Sequence, residues 1–111
     1  DEIVVHEAWN RLHAVSAKEG LISIGYERNY NEFSRLYQFA KIFMFSSISI
    51  FSCPLAMTDG AARLVEVYGD DDLRRAAFNR LTSRRPSEFS TSGQWMTERT
   101  GGSDVSGTST V

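Results

Sequence analysis

The 111-residue sequence predicts a mainly α fold, a helical bundle whose chain turns toward strand near its end. Three observations carry this. Apolar residues recur at helical spacing through three long segments, Gly20, Pro54 and Gly69 punctuate those segments, and after Pro86 the chain becomes rich in Gly, Ser and Thr.

The first helix is expected over residues 6–18, where Trp9, Leu12, His13 and Val15 fall at near-helical intervals, with Gly20 as its C-cap. Residues 21–31 mix Gly25 with two asparagines and read as loop. From Glu32, a stripe of Phe33, Leu36, Tyr37, Ala40, Phe43, Met44 and Ser47 predicts a central helix. Its second half, 42–51, is apolar on nearly every side, which predicts a helix buried all round; ten residues are too few to cross a bilayer. Covering contact from another part of a longer protein, or from another subunit, would serve equally well.

Pro54 belongs in a first helical turn, so a new helix should start there. Leu55, Ala61, Ala62, Leu64, Val65 and Tyr68 form its apolar face, closed by Gly69 as a C′ residue. Asp70, Asp71 and Asp72 precede Leu73, Ala76, Ala77, Phe78 and Leu81, where carboxylates cap a helix and meet its dipole; this reading is preferred to a cation site. Arg74, Arg75, Arg80, Arg84 and Arg85 read as a solvated face, with Arg84 or Arg85 meeting a ligand phosphate as the minor alternative.

Composition narrows the function. Hydrophobic residues make up 41% and charged residues 23%, as in a globular domain, and the net charge of −2 with interspersed signs gives no electrostatic case for nucleic acid or an anionic membrane. The single cysteine, Cys53, excludes an internal disulfide and a multi-thiolate metal site, and reads as a small buried apolar residue. His6 and His13 are seven residues apart, roughly 10 Å along a helix, so one metal cannot bridge them; each reads as a capping or surface histidine. No metal ligands are assigned. No Ser/His/Asp or Cys/His constellation can be assembled, which removes hydrolase chemistry.

The last 18 residues carry the functional signal. Gln94, Trp95 and Met96 read as a strand end whose backbone edge could meet a flat ring, with Thr97 offering a hydroxyl to a ring heteroatom. Gly101 and Gly102 would let the backbone bend without a Cβ, and Ser103 would add a donor for a phosphate oxygen. From the residues alone, a cradle for a large planar phosphorylated cofactor and an ordinary glycine-rich turn after a strand both remain open.

The segment Met96-Thr97-Glu98-Arg99-Thr100-Gly101-Gly102-Ser103-Asp104-Val105 resembles the flavin-binding signature of acyl-CoA dehydrogenases. His6-Glu7-Ala8-Trp9 and Cys53-Pro54-Leu55-Ala56-Met57-Thr58 are similar to stretches of the AidB-like branch of that superfamily. Acyl-CoA oxidases tend to carry Gly-His-Gly-Ser-Asn where this chain has Gly101-Gly102-Ser103-Asp104, which favours the dehydrogenase type.

The resemblance implies an N-terminal helical-bundle domain over 1–86, then a linker and the first strand of a middle β-domain over 87–111 carrying the flavin loop. It implies FAD, with Thr97 on the isoalloxazine, Trp95 and Met96 and the neighbouring Gln94 beside the ring, Gly102 permitting close approach, and Ser103 on the pyrophosphate and also against the acyl-CoA substrate. The family's catalytic base is a carboxylate far toward the C-terminus; Glu98 is not that base, and no residue here corresponds to it.

The family's members are several times longer, so a piece of a longer protein is expected, one that does no chemistry alone. The parent is expected to be an intracellular, soluble homo-oligomer, a tetramer by resemblance, oxidising a fatty acyl-CoA at its α,β positions. The alternative is a flavin-containing acyl-CoA-binding or stress-protective protein with weak or no dehydrogenase activity. Nucleic acid would enter only through a C-terminal region that this sequence does not contain.

Overall fold

The computed structural model describes residues 2–45 and 50–109, and the described residues are mainly helical. Helix α1 (Glu7–Lys18) is N-capped by His6, whose Nδ1 accepts the Ala8 N–H at 3.1 Å. It ends at Gly20, whose φ of +66° is the left-handed conformation that favours glycine. The guanidinium of Arg84 lies over this turn, so a Cβ there would sit 2.6 Å from its Cζ.

Residues 21–31 are not a loop. Leu21, Ile22 and Ile24 are each at most 2% exposed, and Ile24–Glu27 forms the short helix α2, followed by a 3-10 turn over Asn31–Phe33. Four residues are too few to show a 3.6-residue period, and the asparagines that suggested loop lie beyond the helix end.

Helix α3 (Ser34–Phe45) exists as expected, but its orientation is the reverse of the prediction. The stripe faces outward, with Phe33 61%, Leu36 67%, Phe43 78% and Met44 78% exposed, while Ser34 and Gln38 are buried on the inner side. Ser47 of that stripe and Ile48 lie outside the described residues. Nor is the 42–51 stretch buried all round: Phe43 and Ile50 are exposed, Phe45 is half-buried, and among its described residues only Phe51 is fully enclosed.

The inner side of α3 is polar over its first half, where it closes a hydrogen-bonded cluster, and its end packs Ile42 and Phe45 against the core. Gln38 Nε2 donates to the Leu21 carbonyl and to Asp59 Oδ1, both at 3.0 Å. Arg35 Nη1 donates to the same Asp59 oxygen at 2.7 Å and to Gln38 Oε1 at 2.9 Å, and its guanidinium lies 4.4 Å from the Tyr26 ring centroid. Tyr26 donates its hydroxyl to the Asp59 carbonyl at 2.7 Å. Burial pushes the Tyr26 phenol up to about 12. Every buried polar atom of this group has a partner, the condition under which such a cluster specifies packing.

Helix α4 (Ser52–Tyr68) starts two residues before Pro54, which therefore occupies the first turn, where its missing N–H costs nothing. Cys53 on that turn is exposed, not buried as expected, because the inner side of the turn is taken by Pro54 and Leu55. Gly69 ends α4 in an extended conformation (φ −68°, ψ 141°) rather than as a left-handed C′ residue. Asp70 then caps α5 (Asp71–Leu73), accepting the Leu73 N–H at 2.7 Å, as the acidic triplet predicted. A π-helical turn over Arg74–Phe78 leads into α6 (Asn79–Leu81).

The core is Ala17, Leu21, Ile22, Phe51, Leu55, Ala62, Leu81 and Phe89. Phe89 closes it from the segment after α6 and is held by His13, whose Nε2 must donate to the Phe89 carbonyl at 3.1 Å since a carbonyl only accepts. His13 is thus a half-buried tether, not a surface residue.

Arg84 is committed to Glu27 through Nε and Nη2 at 2.5 and 2.9 Å, and Arg85 pairs with Glu88 at 2.5 Å, so both arginines have structural partners. The hydrogen bonds from Arg84 hold the Glu27 carboxyl below its usual range. A depressed carboxylate pKa stabilises the fold above the ordinary value and ceases to as pH falls through the lowered one. Arg84→Ala is therefore expected to cost at most about 1 kcal/mol at neutral pH, since both groups are partly exposed. Denaturation midpoints at neutral and acid pH should show that difference vanish in acid.

Candidate cofactor-binding loop

Residues 94–109 follow directly on an anchor to the helical body. Thr58, fully buried in α4, donates its hydroxyl to the Pro54 carbonyl at 2.7 Å, and the same oxygen accepts the Ser92 N–H at 3.0 Å. The chain then leaves the core, and Gln94, Trp95, Met96 and Thr97 are all exposed, Trp95 by 97%. The expected strand has no ladder among the described residues, where the only pairing is one antiparallel bridge between Glu98 and Gly101. A strand needs a neighbour, and none is present here. Val111, read as strand, lies outside the described residues.

The bridge pins a tight turn: Glu98 N–H donates to the Gly101 carbonyl at 2.8 Å, and Gly101 N–H donates back at 3.3 Å. The chain returns through a 3-10 turn over Val105–Gly107. Thr100 Oγ1 donates to the Gly107 carbonyl at 2.9 Å. Asp104 Oδ1 accepts both the hydroxyl and the amide of Ser106, at 2.6 and 2.9 Å, which holds its carboxyl below the usual range. Finally Glu98 Oε2 accepts the Ser109 N–H at 2.8 Å and its hydroxyl at 3.2 Å.

The two glycines stand in different surroundings. Neither has a left-handed backbone, so the bend does not depend on that freedom. Gly101 is buried because the returning chain crosses it; a Cβ there would lie 2.7 Å from Thr108 Cγ2 and 2.8 Å from Thr108 N. Gly102 is exposed, and a Cβ on it would meet none of the described residues within 4 Å.

Among the sequence-derived candidates, Trp95 and Met96 come together with Glu98, Val105 and Thr108 around a surface recess of about 340 Å³. Gln94, Thr97, Gly102 and Ser103 lie outside its lining. Among the described residues the hydroxyls of Thr97 and Ser103 have no hydrogen-bond partner within the chain and face solvent. The arrangement fits FAD in kind: an apolar edge for a flat ring, two uncommitted hydroxyls, and an open glycine beside one of them. Sequence reasoning missed Val105, Thr108 and Ser109, because their part depends on the chain folding back on itself. No His/Cys/Asp/Glu grouping among the described residues could hold a metal ion, and no helix of theirs is long and apolar enough to cross a membrane.

No protein-family model matches the chain. It is 49% identical over 112 residues to acyl-CoA dehydrogenase family member 11 of Caenorhabditis elegans, an alignment covering 96% of this chain and 18% of that protein. The crystal structure of C. elegans ACDH-11 in complex with C11-CoA superposes with a TM-score of 0.84, covering 96% of this chain and 19% of that one. The apo form of Bd2924 superposes with a TM-score of 0.90 at 54% identity, covering 98% and 22%. The chain thus spans about a fifth of the length of the proteins it matches, and its fold is that of an acyl-CoA dehydrogenase N-terminal helical domain.

Proposed function

We propose that this chain is the N-terminal helical domain (1–86) and the start of the middle β-domain (87–111) of an FAD-dependent acyl-CoA dehydrogenase that oxidises a fatty acyl-CoA at the α,β positions. The observation that carries the reading is the pair of uncommitted hydroxyls, Thr97 and Ser103, flanking the open Gly102 in a segment aligned with an acyl-CoA dehydrogenase relative. The resemblance of the stretches at His6 to Trp9 and Cys53 to Thr58 supports a place in the AidB-like branch.

FAD, when bound, supplies the hydride acceptor. The residues of this chain bind and orient. Trp95 and Met96, already gathered at one recess, pack against the ring, with Gln94 beside them. Thr97 donates a hydrogen bond to the isoalloxazine, Gly102 leaves room for a phosphate, and Ser103 donates to the pyrophosphate and lies against the acyl-CoA. A relative solved with C11-CoA supports an acyl-CoA ligand for the parent. The base that takes the α proton is assigned to the remainder of the full-length protein, which is proposed to assemble as a homo-oligomer.

A hydrogen bond to a charged phosphate is worth about 1.5–3 kcal/mol, against about 0.5–1.5 for a neutral one. Ser103→Ala in the full-length protein is therefore expected to weaken FAD binding by roughly tenfold to 150-fold. Thr97→Ala should have the smaller effect on affinity and the larger one on the flavin absorption spectrum and redox potential. Titration of both apoproteins with FAD decides this, and wild-type affinity in Ser103→Ala would remove the pyrophosphate assignment.

A further inference from the structure

Glu98 is the most connected residue of the loop. Its backbone makes the only bridge there among the described residues, and its Oε2 collects both donors of Ser109, eleven positions on. One residue thereby fastens both ends of the excursion that displays Gly102 and Ser103. Thr100 to Gly107 also joins the two arms, seven positions apart, while Asp104 to Ser106 and Thr108 to Val105 are local; none of these reaches as far along the returning chain as the tie from Glu98 to Ser109. A carboxylate is also a poor direct ligand for a pyrophosphate, since like charges repel. Engaged by Ser109, it contributes order instead.

We propose that Glu98 is a positioning residue, which holds loop 98–109 closed through Ser109 so that Gly102 and Ser103 meet the FAD pyrophosphate in a preformed arrangement. This rests on the flavin reading above. Preorganisation raises affinity by removing the ordering that binding would otherwise require. Carboxylate is the side chain suited to the task, because two donors converge on a single oxygen that a charge makes a stronger acceptor.

The test uses the full-length protein as wild type, Glu98→Ala and Glu98→Gln, with two readouts: amide hydrogen exchange at Gly101 and Ser109 in the apoprotein, and the dissociation constant for FAD. Glu98→Ala is expected to speed both exchange rates and weaken FAD about tenfold. Glu98→Gln, which keeps an acceptor oxygen, is expected to recover most of both. Tighter FAD binding by Glu98→Gln than by wild type would mean that the charge acts directly on the phosphate, and overturns the proposal. So would unchanged exchange in Glu98→Ala, or faster exchange with undiminished affinity. A wild-type protein that binds no FAD overturns the flavin reading and this proposal together, whereas tight wild-type binding with equally tight Glu98→Ala binding overturns this proposal alone.

Discussion

Phe51→Ala is expected to destabilise the helical domain by about 3–5 kcal/mol, the cost of emptying a large aromatic site in a core that relaxes only partly. Phe51 is 0% exposed and packs edge-to-face on Trp9 with ring centroids 4.8 Å apart. It belongs to one cluster with residues from α1, the 21–22 segment, α4, α6 and Phe89, so its loss opens a void between elements far apart in sequence. Domain stabilities are about 5–15 kcal/mol, so the change removes a large share. Phe43→Ala is the internal control. At 78% exposure Phe43 has little to lose, and its substitution should stay within about 0.5 kcal/mol in this domain by itself. Denaturant midpoints for the two variants make the comparison; equal losses would mean that the core does not centre on Phe51.

That contrast shows what the sequence could and could not disclose. Both phenylalanines sit in one apolar run, and local pattern does not separate them. Periodicity locates an apolar face, but which face is covered depends on residues elsewhere. Here the first half of α3 turns polar residues inward because Asp59 of α4 and the Leu21 carbonyl complete the hydrogen bonds of Gln38 and Arg35. Features governed by two or three neighbouring residues were readable: the Gly20 turn, the first-turn Pro54 and the Asp70 cap all stand where local stereochemistry requires them. Leu21, Ile22 and Ile24 escaped because α2, with four residues, is barely one turn and too short to show a repeating pattern, and Leu21 and Ile22 precede it. Cys53 escaped because its burial is decided by which side of the first turn Leu55 occupies.

The loop followed the same rule. Its residue types flagged a cradle, and Thr97 and Ser103 do present free hydroxyls. The difference between the two glycines was not readable, because Gly101 is constrained by Thr108, seven residues away, and a Cβ on Gly102 would meet none of the described residues. Glu98 stood in the motif from the start, yet its link to Ser109 exists only once the chain has returned.

The same asymmetry yields the sharpest functional test. In the full-length protein Gly102→Val is expected to weaken FAD by more than the roughly tenfold to 150-fold expected for Ser103→Ala. The new side chain meets nothing within 4 Å and the backbone there is not left-handed, so the apoprotein should fold and melt like wild type. The loss would then come from the space a phosphate needs rather than from the loop. Gly101→Val should differ in kind, because its Cβ would press on Thr108 at 2.7 Å and break the crossing of the two loop strands. It should speed amide exchange at Glu98 and Gly101 in the apoprotein, an effect Gly102→Val should lack. FAD titration of the two variants, paired with exchange of the flavin-free proteins, separates occupation of the ligand's space from collapse of the turn. Wild-type FAD affinity in Gly102→Val would mean that no phosphate approaches this glycine, and that the open side of the loop serves another purpose.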